Sequence, residues 1–115
     1  MKREEYVKRV LELYLELPET PAGFKRYDRV RATELHERGV QILAIESAFL
    51  LASVRRLGRP PDAPPLLPIR SVAYFLPVIE EVLSNPIPTD YVEYLRGKLR
   101  VFAARVQKNT FPRDR

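Results

Sequence analysis

Apolar side chains recur along this chain at helical spacing in five places, and nowhere do they alternate as a half-buried strand would. Over residues 4–17, Tyr6, Val7, Val10, Leu11, Leu13, Tyr14 and Leu17 fall on one broad arc, while Lys8, Arg9, Glu12 and Glu16 fill the opposite one. That is a helix with one buried face, and Pro18 stops it. Two prolines and Gly23 make 18–27 a loop. Asp28 is placed to cap a second helix, and Gly39 suits the left-handed position just past its end.

The third segment, 41–57, is apolar nearly all round. Ile42, Ile45, Ala48, Phe49 and Ala52 cover one side, and Leu43, Leu50, Leu51 and Val54 the others. A helix without a polar face is the one the rest pack around. Gly58 ends it. Prolines 60, 61, 64, 65 and 68 then forbid regular structure, which makes 58–68 a stiff surface crossover. A fourth helix is expected over 69–84, with Val72, Phe75, Leu76, Val78, Ile79, Val82 and Leu83 on one face. Pro77 either kinks it outward or opens a separate helix. Residues 85–89 form a turn. Thr89 or Asp90 then caps a fifth helix carrying Tyr91, Leu95, Leu99, Phe102 and Val106 in register.

The pattern therefore predicts an all-α fold, a single compact bundle of about five helices around a central apolar helix, with a Pro-rich crossover. At 115 residues the chain suits one domain, expected over 1–108, with 109–115 a flexible basic tail. No signal peptide or membrane span is expected. The longest apolar stretch, 42–54, is broken by Glu46, Ser47 and Ser53 and falls short of the ~20 residues a span needs. The expected location is cytoplasmic.

Composition narrows the chemistry. Without cysteine, disulfides, thiolate metal sites and thiol nucleophiles are excluded. His36, the one histidine, stands beside Ala32 and Leu35 without a second ligand nearby, and reads as a packing or surface residue. The four glycines are scattered singly, so there is no phosphate-cradling loop. Glu80 and Glu81 are adjacent, diverge by about 100° on a helix and do not converge as an acid–base pair. An enzyme is not expected, nor any metal or cofactor.

The basic residues are clustered. Residues 96–115 carry seven cations against Asp114 alone, a surplus of six, so the other 95 residues net −1 within a total of +5. On the fifth helix Arg96 and Arg100 flank one edge of the apolar stripe, and Lys98 and Arg105 the other. Such edges suit contacts to phosphates. They equally suit a solvated face whose long stems cover the core. A second cluster, Lys25, Arg26, Tyr27, Arg29 and Arg31 beside Phe24, interleaves cations with aromatics, as a phosphate backbone with stacked bases would require. A loop with aromatics tucked into the core is the alternative. A third, Arg55, Arg56 and Arg59, closes the central helix, where cations also satisfy terminal carbonyls.

Residues 28–56 invite a helix-turn-helix reading, with Gly39-Val40 as the turn. A recognition helix must offer polar side chains to base edges, however, and the third helix offers Ile, Leu, Ala and Phe. A buried central helix is the better account. Glu46 on it is then expected to be mostly buried and paired with a cation, with Arg31, Arg38 and Arg70 the candidates.

Three strings stand out as a set: Glu34-Leu-His-Glu-Arg-Gly-Val40, Asp62-Ala-Pro-Pro65 and Pro68-Ile-Arg-Ser-Val-Ala-Tyr-Phe-Leu-Pro-Val-Ile-Glu-Glu-Val82. Together they resemble a group of small, uncharacterised bacterial helical proteins, over about residues 6–100. That resemblance implies an association with replication or mobile elements, and the overall look is similar to helix-bundle accessory domains of plasmid primases. It transfers no functional residue. The function expected from sequence is a non-enzymatic, nucleic-acid-binding accessory module that grips the phosphate backbone of DNA, or of RNA. The alternative is a protein-interaction adaptor or homodimer that uses exposed aromatics and the crossover leucines, Leu66 and Leu67.

Overall fold

A computed structural model describes the backbone of residues 1–110 and the side chains of residues 1–105. Among the described residues the chain is all-α: α1 (Arg3–Leu15), α2 (Arg26–Glu37), α3 (Ile42–Leu57), a 3₁₀ turn (Val72–Phe75), α4 (Leu76–Ser84) and α5 (Thr89–Thr110). No helix there is long and apolar enough to cross a membrane. The expected tail lies largely outside the described residues, and α5 itself runs to Thr110.

α1 stops two residues earlier than its apolar pattern. Leu17 precedes Pro18, and a pre-proline residue avoids the α region. The turn that follows puts Glu19 at φ 67°, a left-handed position. α2 begins earlier than expected, and Asp28 is not its cap. The residue sits in the first turn, buried, with Oδ2 accepting the Lys25 N–H at 2.8 Å and Oδ1 the Val72 N–H at 2.9 Å. From inside the first turn, one carboxylate thus reaches back to the backbone N–H of the N-cap residue Lys25 and pins the start of the 3₁₀ turn. α2 ends as Gly39 predicts. With φ 76° this glycine closes a Schellman motif, Val40 N–H to Leu35 O and Gly39 N–H to His36 O, and Val40 drops into the core.

α3 is the hub, packing on α1, α4, α5 and the 3₁₀ turn. Ile45, Ala48, Phe49 and Ala52 are buried in the main core, and the buried Ser47 returns its hydroxyl to Leu43 O at 2.8 Å. Leu43 itself faces solvent. The main core joins α1, α2, α3, the 3₁₀ turn and α4 around Tyr14, Phe49 and Phe75. Of the two readings of Pro77, the separate helix holds: Pro77 lies in the first turn of α4, where a missing N–H leaves no bond unmade.

α5 docks on α3 through a second, smaller core of Leu50, Val92, Leu95 and Leu99. Its buried stripe is displaced from the expected one. Val92, not Tyr91, faces inward; Tyr91 is exposed and stacks on Tyr94 at 5.5 Å. Val106 lies outside the described side chains. Neither Thr89 nor Asp90 precedes the helix as a cap, since Pro88 O receives the first N–H groups, of Tyr91 and Val92.

Glu46 is mostly buried and paired with an arginine from another helix, as expected, and is corrected only in which arginine. It keeps 21% of its side-chain exposure and pairs with Arg96 of α5 at 2.7 Å. Two of the arginines expected there are engaged elsewhere, Arg31 with Glu34 and Arg38 with Glu80.

Candidate interaction surface

Ion pairs remove several sequence candidates from the pool of available cations. Arg31 donates to Glu34 at 2.9 Å within α2. Arg55 on α3 grips Glu81 on α4 through two bonds of 2.9 and 2.6 Å, a bidentate pair that raises the guanidinium pKa above its ordinary value and lowers that of Glu81. Glu80 turns the other way and takes two bonds from Arg38, so the adjacent glutamates diverge and cross-link α4 to α3 and to the end of α2. Arg96 is held by Glu46 and, at 3.4 Å, by Glu93. These four arginines serve the fold first.

Arg56 does most. Its side chain is only 8% exposed and its Nε meets Glu19. One terminal nitrogen reaches Leu67 O at 2.8 Å and the other the Tyr74 hydroxyl at 3.3 Å, with the guanidinium over the Tyr74 ring at 5.3 Å. Burial works against its charge, yet the bonds to Glu19 and Tyr74 hold its pKa above the ordinary arginine value. A glutamate in the left-handed region costs about 1 kcal/mol, and at Glu19 that conformation goes with the Arg56 contact.

Through Arg56, α3 anchors the crossover. Ile69 is buried at its far end, and between these two anchors Leu66 and Leu67 stand out, Leu67 at 82% exposure. Two adjoining hollows flank them and share Arg56, Leu66 and Tyr74. One, of about 340 Å³, reaches Ala52, Arg59 and Val78. The other, of about 590 Å³, reaches Pro65, Leu67 and Arg70. Tyr74 was not singled out in the sequence. Its signal was present, because it falls off the arc of Val72, Phe75 and Ile79 and so had to face outward.

The remaining candidates lie on two other stretches. At the start of α2, Lys25, Arg26 and Arg29 are exposed, with Arg29 over the exposed Phe24 at 5.2 Å. Tyr27 is exposed rather than tucked into the core, and its hydroxyl approaches Arg70 O at 3.5 Å, so this stretch adjoins the crossover at Arg70. On α5, Lys98 and Arg105 both lie over Phe102, at 5.4 and 5.5 Å, and Arg100 is exposed. Arg100 also lines a hollow of about 340 Å³ between α1, α3 and α5, beside the Arg96–Glu46 pair. Among the described residues Lys25, Arg26, Arg29, Lys98, Arg100 and Arg105 have no carboxylate partner. His36 packs edge-on against Tyr6 at 4.9 Å. Comparisons with family models, with curated proteins and with solved structures find no match to this chain.

Proposed function

We propose that this domain is a protein-interaction module whose contact surface is the crossover face formed by Leu66, Leu67 and Tyr74. The observation that carries the reading is the pairing of exposure with fixation: Leu67 projects 82% exposed while its own carbonyl is held by a buried guanidinium. An apolar side chain on an ordinary loop could turn away from water. This one is held out by Arg56 and by five flanking prolines, so little ordering entropy remains to be lost on binding. The tyrosine and arginine beside these leucines, Tyr74 and Arg56, are of the residue types enriched in interaction hot spots. The occupant is a segment of another protein.

Panning a displayed peptide library against the whole chain and against Leu67→Glu tests this. Peptides enriched on the first and lost on the second support the reading; a library that enriches equally on both contradicts it.

A second reading, phosphate-backbone binding, is favoured by one specific feature. Lys98, Arg100 and Arg105 on α5 lack carboxylate partners among the described residues, and Lys98 and Arg105 lie over Phe102, an aromatic ring of the kind on which bases stack.

A further inference from the structure

We infer that the segment received by the crossover face is acidic as well as apolar: a short stretch with one or two large apolar side chains flanked by carboxylates. The inference rests on the crossover face being the interaction surface and adds the chemistry of its partner.

The charges on and around the two hollows carry the argument. Glu19 and Glu81 are the carboxylates that reach arginines there, and both are spent, on Arg56 and on Arg55. Arg59 lines one hollow and Arg70 the other, and neither has a carboxylate partner among the described residues. Each hollow therefore carries an arginine without a carboxylate partner among the described residues beside the apolar residues that line it, Leu66 and Tyr74 in both and Val78 in one. Beyond Arg70, where Tyr27 bridges toward the start of α2, Lys25, Arg26 and Arg29 extend the same sign. The negative group close by, Asp62, sits in the crossover but lines neither hollow.

A basic partner would meet like charge in both hollows. A neutral apolar one would leave two arginines to be desolvated unpaired, at a cost in affinity. A carboxylate is the complementary group, and an arginine fork binds it through two parallel bonds. A nucleic acid would also satisfy the arginines, but it leaves Leu66 and Leu67 facing phosphate and sugar. The apolar lining therefore favours a peptide. Two hollows sharing one wall, Leu66 and Tyr74, further suit two side chains from one extended segment.

The experiment reads the composition of peptides enriched on the unmodified chain, then repeats the selection on the double variant Arg59→Gln, Arg70→Gln, with Leu67→Glu as the common control. The expected result is an excess of Asp and Glu beside Leu, Ile or aromatic anchors. That excess should vanish on the double variant while the anchors persist. Individual acidic peptides should bind the double variant about tenfold more weakly, and the difference should shrink at high salt. Apolar anchors without acidic bias would overturn this inference and leave the interaction surface standing. Failure to enrich over Leu67→Glu would overturn both. Tight binding of a short oligothymidylate that is lost on the double variant would also overturn it, by assigning the two arginines to phosphate.

Discussion

The Arg56 guanidinium on α3 donates to the backbone carbonyl of Leu67 at 2.8 Å, tying the central helix to the tip of the Pro-rich crossover. The same side chain meets Glu19 in the turn after α1 and Tyr74 in the 3₁₀ turn. One buried cation thus joins three connecting segments that share no backbone hydrogen-bond ladder. Arg56→Ala should lower stability by about 2 kcal/mol, from the lost charge-assisted bonds and the lost packing of the stem. Arg56→Lys should recover only part, because an ammonium cannot hold three partners in a fork. Urea unfolding checks both; an alanine variant as stable as the parent would show that the crossover is not anchored this way.

Asp28 makes a sharper case. Its two oxygens serve the Lys25 and Val72 amides in a site that is 1% exposed. Asp28→Ala leaves a buried N–H without a partner and should cost about 2–4 kcal/mol. Asp28→Asn keeps one acceptor and should cost less. Thermal melts of the two should rank in that order, and a reversed ranking would mean that the carboxylate's charge is a burden.

Gly58 at the end of α3 and Gly97 within α5 should respond oppositely to a methyl group. A Cβ on Gly58 would meet Val54 O at 2.9 Å and the Phe102 ring at 3.2 Å, so Gly58→Ala must push α5 away and should destabilise by about 1–2 kcal/mol. Gly97 lies inside α5, where a Cβ meets only the Arg100 guanidinium at 3.9 Å. Gly97→Ala should stabilise by about 0.5–1 kcal/mol through helix propensity alone. Equal effects at the two positions would refute the close approach of Phe102.

Alkaline pH should loosen the main core. Burial pushes both Tyr6 and Tyr14 from the ordinary tyrosine pKa of 10.0 up to about 12. Their folded forms hold protons that the unfolded chain releases, so this stability is complete below pH 10 and is lost as pH rises from 10 toward 12. Each tyrosine contributes a slope of up to about 1.4 kcal/mol per pH unit. Urea midpoints at pH 8, 10 and 11 should stay level and then fall, and the fall should diminish in the Tyr6→Phe, Tyr14→Phe double variant. At neutral pH the single variants should differ. Tyr6→Phe loses a bond to Val40 O and should cost about 1 kcal/mol, whereas the Tyr14 hydroxyl has no hydrogen-bond partner among the described residues and its removal should be near neutral.

The phosphate-binding reading has its own test on α5. Lys98, Arg100 and Arg105 are the residues to neutralise; Arg96 is not, since it holds Glu46 and its loss would unsettle the helix contact. If phosphates are bound, the triple glutamine variant should weaken oligonucleotide binding for all sequences alike and flatten the salt slope by about one unit per lost contact. Absence of binding by the parent at low salt would leave α5 as a solvated face.

Much of the fold was legible in the sequence because it rests on local chemistry. Gly39, Pro18 and Gly58 end helices for reasons one residue carries, and the apolar girdle of α3 marks it as the hub. What was not legible depended on distant partners. Asp28 looks like a cap because the spacing fits; its second bond, to Val72, spans 44 residues and leaves no trace in local pattern. Glu46 clearly needed a cation, but helical spacing cannot say which helix supplies it. The basic clusters show the same limit: four of their arginines, Arg31, Arg55, Arg56 and Arg96, meet glutamates in the fold, and three of those partners lie on other segments. The interaction surface was half legible. Leu66 and Leu67 stand out as apolar residues among prolines, while the arginine that holds the Leu67 carbonyl lies 11 residues earlier on another element.

The most direct test of the crossover face is amide chemical-shift mapping as the ¹⁵N-labelled chain is titrated with its best enriched peptide. The account predicts that the shifts concentrate at residues 56–59 and 66–74, fade toward the start of α2, and leave Lys98, Arg100 and Arg105 unmoved. Shifts centred on α5, with Leu66, Leu67 and Tyr74 unaffected, would contradict it.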